Sequence, residues 1–202
     1  MSEIVTSSAA PARGLPGPLG AVVRLHDRVF RGVEGFAAGW FNGFAARFAF
    51  ASLCLVYYLN SGWNKLGDGL AGFLAPSSGA YIAILPPIME QYGYDTAAIP
   101  FFPWHVIVLL GTWGEILLPL FVVFGLFGRI AALGMIVFVA VQSYVDITYL
   151  GLEPKFVGAM FDRFPDAVIF DQRLLWVFAL LVVVVNGPGK LSLDYLAARL
   201  LR

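Results

Sequence analysis

One long apolar stretch, WHVIVLLGTWGEILLPLFVVFGLFG from Trp104 to Gly128, constrains the fold more than any other part of the chain. An α-helix rises about 1.5 Å per residue, so about 25 residues extend roughly 37 Å. That length exceeds the hydrocarbon core of a bilayer, which is about 30 Å thick. His105 and Glu115 are its only ionisable residues. The stretch therefore predicts a membrane-spanning helix that carries a carboxyl group within it.

Glu115 is the central candidate residue of this helix. Trp104 and His105 suit a membrane interface, which places Glu115 about 16 Å further along, near the midplane. A charge at that depth is costly, so we expect the carboxyl to face the interior of a helix bundle and to have a partner. Pro119 lacks an N–H and leaves the Glu115 carbonyl free as a second acceptor. We interpret this as a functional or assembly-critical site; the alternative is a protonated glutamic acid satisfied by its neighbours.

The composition is that of a membrane protein. Of the 202 residues, 59% are hydrophobic and 13% charged, and the mean hydropathy is +0.80. The formal net charge is zero, so no basic field favours nucleic acid as a partner. Cys54 is the single cysteine, which excludes an intrachain disulfide, a CxxC redox pair and a cysteine-built metal site.

Four apolar segments predict an all-α membrane protein, a bundle of four transmembrane helices. The predicted spans cover residues 44–64, 104–128, 130–150 and 171–186. Two larger connections, 67–103 and 151–170, lie at the same end of the bundle. In the first we predict short helices at 80–85 and 88–92, and in the second an interfacial helix. The predicted divisions are a disordered tail (1–19), an amphipathic interfacial helix (20–43), the membrane domain (44–197) and a C-terminal end (198–202).

Several polar residues of the predicted spans are expected to meet in the bundle interior. On a helical wheel Arg47, Tyr58 and Lys65 share one face of the first span. The alternative interpretation of Lys65 is that its side chain extends to the membrane interface. We predict that Arg47 approaches Glu115, through a water molecule, Tyr58 or a shifted helix boundary. The candidate buried polar site consists of Glu115, Arg47, Lys65, Tyr58, Asn60, Gln142 and Asp146.

The sequence offers no intrinsic redox or metal centre. His26 lies outside the spans, so a haem held by two histidines on facing helices is not expected. His105 and Glu115 are about 15 Å apart along one helix, too far to share an ion. No GxGxxG, P-loop or GxSxG motif is present. A bound quinone is the cofactor that the polar interior suggests, and the alternatives are that these residues relay protons or only fix the register of the helices.

The distribution of basic residues predicts that both termini are cytoplasmic, by the positive-inside rule. Eight basic residues lie in the N-terminal region, in the turn at Arg129 between the second and third spans, and in the C-terminal segment. Four lie at the other end of the bundle. The first group is Arg13, Arg24, Arg28, Arg31, Arg129, Lys190, Arg199 and Arg202, and the second is Lys65, Lys155, Arg163 and Arg173. The two larger loops are then non-cytoplasmic.

Several segments together resemble the DoxX family of small bacterial four-helix membrane proteins. They are Arg47 at the start of span one, GWNKL (62–66), GTWGEILLPLFVVFGLFGR (111–129) and NGPGKLSLDY (186–195). The resemblance covers roughly residues 43–197 and carries over Arg47, Lys65 and Glu115 as candidate functional residues. It implies an inner-membrane protein, in some members associated with quinone-linked oxidation of sulfur compounds or with membrane oxidoreductase complexes. The long 67–103 loop departs from the compact family pattern.

Two functions follow as hypotheses. The first is a quinone-interacting or structural subunit of a membrane oxidoreductase, with a redox or accessory protein partner on the periplasmic side. The second is a non-catalytic accessory or transport protein for a small molecule, peptide or metal. In both, the protein is embedded in the lipid bilayer of the bacterial inner membrane. Whether it takes part in catalysis is left open by the residues themselves.

The topology is tested by reporter fusions. Alkaline phosphatase fused after Asp95 should be active, because that loop is predicted to be periplasmic, whereas a fusion after Arg129 should be inactive. Activity is measured in intact cells and normalised to fusion protein abundance. The reverse pattern would contradict the predicted sidedness.

Overall fold

The computed structural model describes residues 17–201. Most of the predicted tail (1–19) and Arg202 lie outside that range. The chain divides into two units, Met1–Ala38 and Gly39–Arg202. The described part of the first unit is helix α1, Pro18–Ala37. Its apolar residues Val22, Leu25, Val29 and Val33 are exposed, so α1 is amphipathic, with Arg24 and Arg28 among the residues between them. Its location at a membrane surface stays a prediction.

In the described residues of the second unit all regular secondary structure is helical, and four helices are long and apolar enough to cross a membrane. The membrane helices have 25, 24, 21 and 19 residues, close to the roughly 20 that a bilayer requires. The fourth begins at Val168, a few residues before its predicted start, which lengthens the predicted short span. In chain order the helices are α2 (Phe41–Lys65), α3 (Ser78–Ile84), α4 (Pro86–Gln91), α5 (Phe101–Phe124), α6 (Gly128–Thr148), α7 (Pro154–Val157), α8 (Val168–Asn186) and α9 (Leu193–Leu200).

The four membrane helices pack in a ring, with α2 against α5, α5 against α6, α6 against α8 and α8 against α2. Their shared core contains Phe50, Tyr58, Met135 and Leu180, all nearly inaccessible to solvent. A π-helical segment, Ala51–Leu55, interrupts the regular α-helical pattern of α2. The predicted all-α fold is thereby confirmed for the described residues, with four helices long and apolar enough to span a membrane.

One end of the bundle, which we call the Arg47 end, is closed by the turn after α8. Arg47 is buried, and its guanidinium donates hydrogen bonds to the carbonyls of Pro188 (3.0 Å), Val123 (2.5 Å) and Leu191. Gly43 allows the turn to approach α2, because a Cβ at that position would lie 2.6 Å from the Gly187 carbonyl oxygen. One arginine therefore joins α2, the end of α5 and the turn that follows α8.

The C-terminal helix α9 also contributes to this end. Asp194 accepts hydrogen bonds from the backbone N–H groups of Phe127 (2.7 Å) and Gly128 (2.8 Å), the start of α6. A carboxylate there stabilises the helix because its first N–H groups lack partners within the helix and carry partial positive charge. Ser192 caps α9 by accepting from the Tyr195 N–H at 3.3 Å.

A compact cap covers the first half of α5 at the opposite end, which we call the cavity end. The cap comprises residues 66–100 and packs Tyr81, Met89 and Ile99 against Val108 of α5. Its helices α3 and α4 confirm the two short helices predicted there. The second loop is different: its predicted interfacial helix is limited to the four residues of α7, because Gly158 and Phe161 adopt positive φ angles that end a helical path.

His105 attaches this cap to α5. Burial raises the pKa of Tyr81, and its hydroxyl is hydrogen-bonded to His105 Nδ1. His105 Nε2 lies 3.1 Å from the Leu74 carbonyl, which suits a neutral imidazole protonated at Nε2. Trp113 Nε1 donates to the Phe73 carbonyl at 2.9 Å. The predicted interfacial His105 therefore has a structural role in holding the cap.

Replacing Arg47 tests its role as a structural cross-link. We expect Arg47→Gln to lower the free energy of unfolding in detergent by about 3 kcal/mol, because it leaves buried carbonyls without a charged donor. Arg163→Gln is the matched control, since Arg163 is an exposed loop residue, and it should change stability by less than about 0.5 kcal/mol. Equal effects of the two substitutions would contradict the assigned role.

Candidate functional site

An ion pair between Lys65 and Glu115 is the centre of the candidate site. Lys65 Nζ lies 2.8 Å from Glu115 Oε2 and 2.7 Å from Ser61 Oγ. The Lys65 and Glu115 side chains are only 14% and 5% exposed. Gly62 brings α2 and α5 together here, because a Cβ on it would lie 2.6 Å from Ile116 and 3.1 Å from Glu115. The absence of a side chain at Gly62 therefore allows α2 and α5 to approach closely enough for the Lys65–Glu115 pair to form.

The predicted approach of Arg47 to Glu115 is wrong. Arg47 bonds to backbone carbonyls at the Arg47 end, and Glu115 is paired with Lys65, whose side chain is largely buried. Lys65 is the last residue of α2, so its partner Glu115 lies beside the last turn of that helix. The shared wheel face of Ser61 and Lys65 was the sequence signal for the correct partner.

Two tyrosines and one glutamine extend the polar wall away from this pair. Tyr58, which is fully buried, donates to Gln142 Oε1 at 3.1 Å. Gln142 Nε2 in turn donates to the Tyr57 hydroxyl at 2.9 Å. Tyr58 and Gln142 are both predicted site residues, and the structure brings them into direct contact. Tyr57 was missed because it lies outside the polar stripe predicted for this helix.

Asp146 belongs to a second buried ion pair. Arg173 Nη2 lies 2.5 Å from Asp146 Oδ2, and Arg173 Nη1 donates to Ser143 Oγ at 2.9 Å. Arg173 is nearly inaccessible to solvent, and its Nε has no hydrogen-bond partner among the residues described. The sequence analysis counted Arg173 only among the basic residues at one end of the bundle. Gln142 and Asp146, which are i, i+4 neighbours on α6, were the available indication that a cation faces them.

These groups surround what we call the main cavity, which has a volume of about 450 Å³. Lys65, Ser61 and Glu115 form part of one wall, and Gln142 and Asp146 part of another. The remaining wall is almost entirely apolar, and it is built from α3, α5 and α6. The lining residues are Tyr57, Ser61, Lys65, Ala83, Ile84, Ile107, Leu110, Gly111, Glu115, Gly134, Val137, Phe138, Val141, Gln142, Val145, Asp146 and Leu150.

A smaller neighbour, the side cavity, adjoins the main cavity between α2 and α3. It has a volume of about 420 Å³ and is lined by Tyr57, Asn60, Ser61, Asn64, Lys65, Gly79 and Ala83. Four of these residues also line the main cavity, namely Tyr57, Ser61, Lys65 and Ala83. Asn60, a predicted site residue, is exposed and belongs to this side cavity only. The Lys65 ammonium therefore lies on the boundary between the two spaces.

The ion pair keeps hydrogen-bonding capacity for a ligand. An ammonium has three N–H donors, and within the described chain Lys65 uses two, on Ser61 and Glu115. Glu115 likewise uses one carboxylate oxygen, Oε2, so that Oε1 has no protein donor among residues 17–201. One donor and one acceptor thus remain beside the cavity. The pair as a whole carries no net charge.

The described residues contain no group of three or more His, Cys, Asp or Glu that could hold a metal ion. No protein-family model, curated protein or solved structure matches the chain. The resemblance to the DoxX family accordingly stays a prediction. Fold and site define the class: a multi-pass α-helical membrane protein whose main cavity is bordered by a buried Lys–Glu pair.

The pair is tested by removing its charges singly and together. Glu115→Gln or Lys65→Met should each lower the free energy of unfolding by about 3 kcal/mol or more, because a buried charge loses its partner. The double variant should recover part of that loss, since neither charge remains. Thermal and denaturant unfolding in detergent provides the measurement.

The exposed pair Glu153–Lys155 is a matched control for this experiment. Its N–O distance is also 2.8 Å, but its side chains are 65–66% exposed. Glu153→Gln and Lys155→Met should each cost less than about 1 kcal/mol. If the losses at Lys65 and Glu115 were equally small, or simply additive in the double variant, the buried pair would not be coupled.

Proposed function

We propose that the protein is a DoxX-like integral protein of the bacterial inner membrane and works as a quinone-interacting subunit of a membrane oxidoreductase system. The observation that supports this most is the Lys65–Glu115 pair on the wall of a largely apolar cavity. A volume of about 450 Å³ falls within the usual range of small-molecule sites, roughly 300–1,000 Å³. A ring with polar substituents suits such a space.

The hydrogen-bonding groups left on the pair match both redox forms of a quinone. A quinone carbonyl can accept from the remaining N–H of Lys65. A hydroquinone hydroxyl can donate to Glu115 Oε1 while its oxygen accepts from Lys65. Reduction of the quinone takes up two electrons and two protons, and oxidation releases them. The pair therefore offers one donor and one acceptor that suit a site where protons move with the redox change.

The electrons are assigned to a separate redox protein. The sequence contains one cysteine and two histidines far apart in the chain, so we propose a subunit or accessory protein and not a self-sufficient enzyme. Purified alone, the chain should reduce no quinone when given a sulfur-compound donor. Turnover by the isolated chain would contradict this division of roles.

The proposed partner binds at the cavity end, which we propose faces the periplasm. Lys65 and Arg173 are held in ion pairs inside the bundle, which leaves Lys155 and Arg163 as the loop cations on that side. The positive-inside bias is therefore larger than the sequence count alone suggests. Acidic residues of the two loops favour a partner with a basic surface; these residues are Asp68, Glu90, Asp95, Glu153, Asp162 and Asp166.

A transport or accessory role is the second candidate. It is favoured by the contact of the main and side cavities along Tyr57, Ser61 and Lys65. Such a continuous lining would suit a small molecule that moves past Lys65 and is released unchanged. Retention of a bound quinone separates the two candidates.

Quinone content after purification tests the proposal. Protein purified from native membranes in mild detergent should retain quinone, measured by solvent extraction and chromatography. Glu115→Gln should bind added quinone about tenfold more weakly, because a charge-assisted hydrogen bond contributes about 1.5–3 kcal/mol. Glu153→Gln carries the same substitution at an exposed site and should bind normally.

Folding is checked in parallel, since Glu115→Gln is also expected to lower stability. Binding is therefore measured well below the melting temperature of each variant. Quinone affinity that is unchanged in folded Glu115→Gln would contradict the proposed site. Protein that carries no quinone and binds none when it is added would favour the transport or accessory role.

A further inference from the structure

The main cavity is elongated along α6 well beyond what a polar head group requires. The residues of this helix that line the cavity all lie on one face, as Gly134 followed by the adjacent pairs Val137–Phe138, Val141–Gln142 and Val145–Asp146. Twelve residues of α-helix separate Gly134 from Asp146, about 18 Å at 1.5 Å per residue. The cavity therefore follows one face of α6 over most of its length. A single ring at the ion pair would leave much of this space unfilled.

This space lies between α5 and α6 toward the cavity end, since residues of both helices line it. Nearer the Arg47 end they are in contact: a Cβ on Gly114 would lie 3.4 Å from the Phe138 ring. One turn further, Gly111 faces Ile84 of the cap helix α3, and a Cβ there would lie 2.9 Å from Ile84 Cδ1. A cap side chain has taken the place of direct packing between α5 and α6. The gap between the two helices is thus built into the fold.

The outer edges of the gap are apolar and accessible. Leu110 on α5 is 67% exposed, and Val137 and Val141 on α6 are 56% and 57% exposed, and all three line the main cavity. Both helices are candidate membrane spans, so these edges would be in contact with lipid. The cavity consequently opens sideways, toward hydrocarbon, while Lys65 and Glu115 lie on its inner wall.

The charges along the cavity identify the kind of head group. Lys65 is neutralised by Glu115, and Asp146 by Arg173, with N–O distances of 2.8 and 2.5 Å. A charged head group would lose its hydration without meeting an excess of opposite charge, which is unfavourable. An uncharged head with hydrogen-bonding oxygens would meet the remaining donor and acceptor of the Lys65–Glu115 pair.

We infer that the gap between α5 and α6 is the binding groove for the hydrocarbon chain of a long-chain amphiphile with an uncharged head. The ligand enters sideways from the bilayer between Leu110 and the Val137–Val141 edge. Its head lies at the Lys65–Glu115 pair and its chain runs along α6. This inference deepens the proposed function, since it assigns the ligand class that the same site accepts.

Photolabelling in reconstituted vesicles tests the groove without depending on quinone. The probe is a long-chain primary alcohol with a diazirine a few carbons from its hydroxyl group, and a quaternary ammonium of equal chain length with the diazirine at the same position is the charged comparison. Labelled positions are identified by mass spectrometry. The alcohol should label Phe138 and its neighbours in a saturable manner, and excess unlabelled long-chain alcohol should abolish that labelling. Lipid-facing Val185, which is 69% exposed, should be labelled without saturation.

Variants at the edge of the groove complete the experiment. Val137→Trp/Val141→Trp should lose most of the saturable labelling at Phe138, because two indole rings fill the entry. Val185→Trp introduces the same residue on α8, outside the main cavity lining, and should retain it. These positions are exposed, so the substitutions are expected to leave folding intact, and unfolding in detergent verifies this.

The outcomes separate the groove from the quinone site. Non-saturable labelling at Phe138, or equal saturable labelling by the charged probe, would overturn the inference. Saturable labelling in a protein that binds no quinone would support the groove while refuting the quinone function. Quinone retention without saturable labelling would refute the groove and leave the proposed function in place.

Discussion

The need to neutralise charge inside an apolar bundle determines how the membrane helices of this protein are joined. Among the described residues three cations lie within it, and they are satisfied in two ways. Arg47 donates to backbone carbonyls, whereas Lys65 and Arg173 pair with Glu115 and Asp146. Each interaction links segments distant in sequence: α2 to α5 and the turn after α8, α2 to α5 again, and α6 to α8. Little hydrophobic force draws helices together within a bilayer, because the lipid is as apolar as their side chains. Polar links of this kind are therefore important for a unique arrangement of the four helices.

The fold was predictable because its main signal is local. Long apolar segments predict the four spans directly. The N-cap at Ser192 and the two short cap helices are also local features, which capping and turn residues indicate. The interfacial helix of the second loop was not predictable from its apolar residues, because aromatic side chains there accompany positive φ angles at Gly158 and Phe161. The ends of the four helices differ from the predicted ends by a few residues, which does not change the architecture.

The candidate site was predictable in its members but not in its pairings. Glu115, Lys65, Tyr58 and Gln142 all line or adjoin one polar region, as the wheel and depth arguments suggested. Assigning Arg47 to Glu115 failed because a charge pattern does not reveal backbone carbonyls as acceptors, and these are what the turn after α8 supplies. The partner of a buried charge depends on how the helices cross. The position of a residue along its own helix, which is all that the helical rise gives, does not identify that partner.

The Arg47 cross-link has a consequence for the order in which the chain is made. Its side chain belongs to the first membrane span, but two of its three acceptors, Pro188 and Leu191, follow the last one. During synthesis from the N-terminus, the guanidinium therefore enters the membrane long before its acceptors exist. The Asp194 carboxylate that caps α6 is made later still. A truncated chain would keep a buried cation without acceptors and an uncapped helix, features by which incomplete copies differ from finished ones in the membrane.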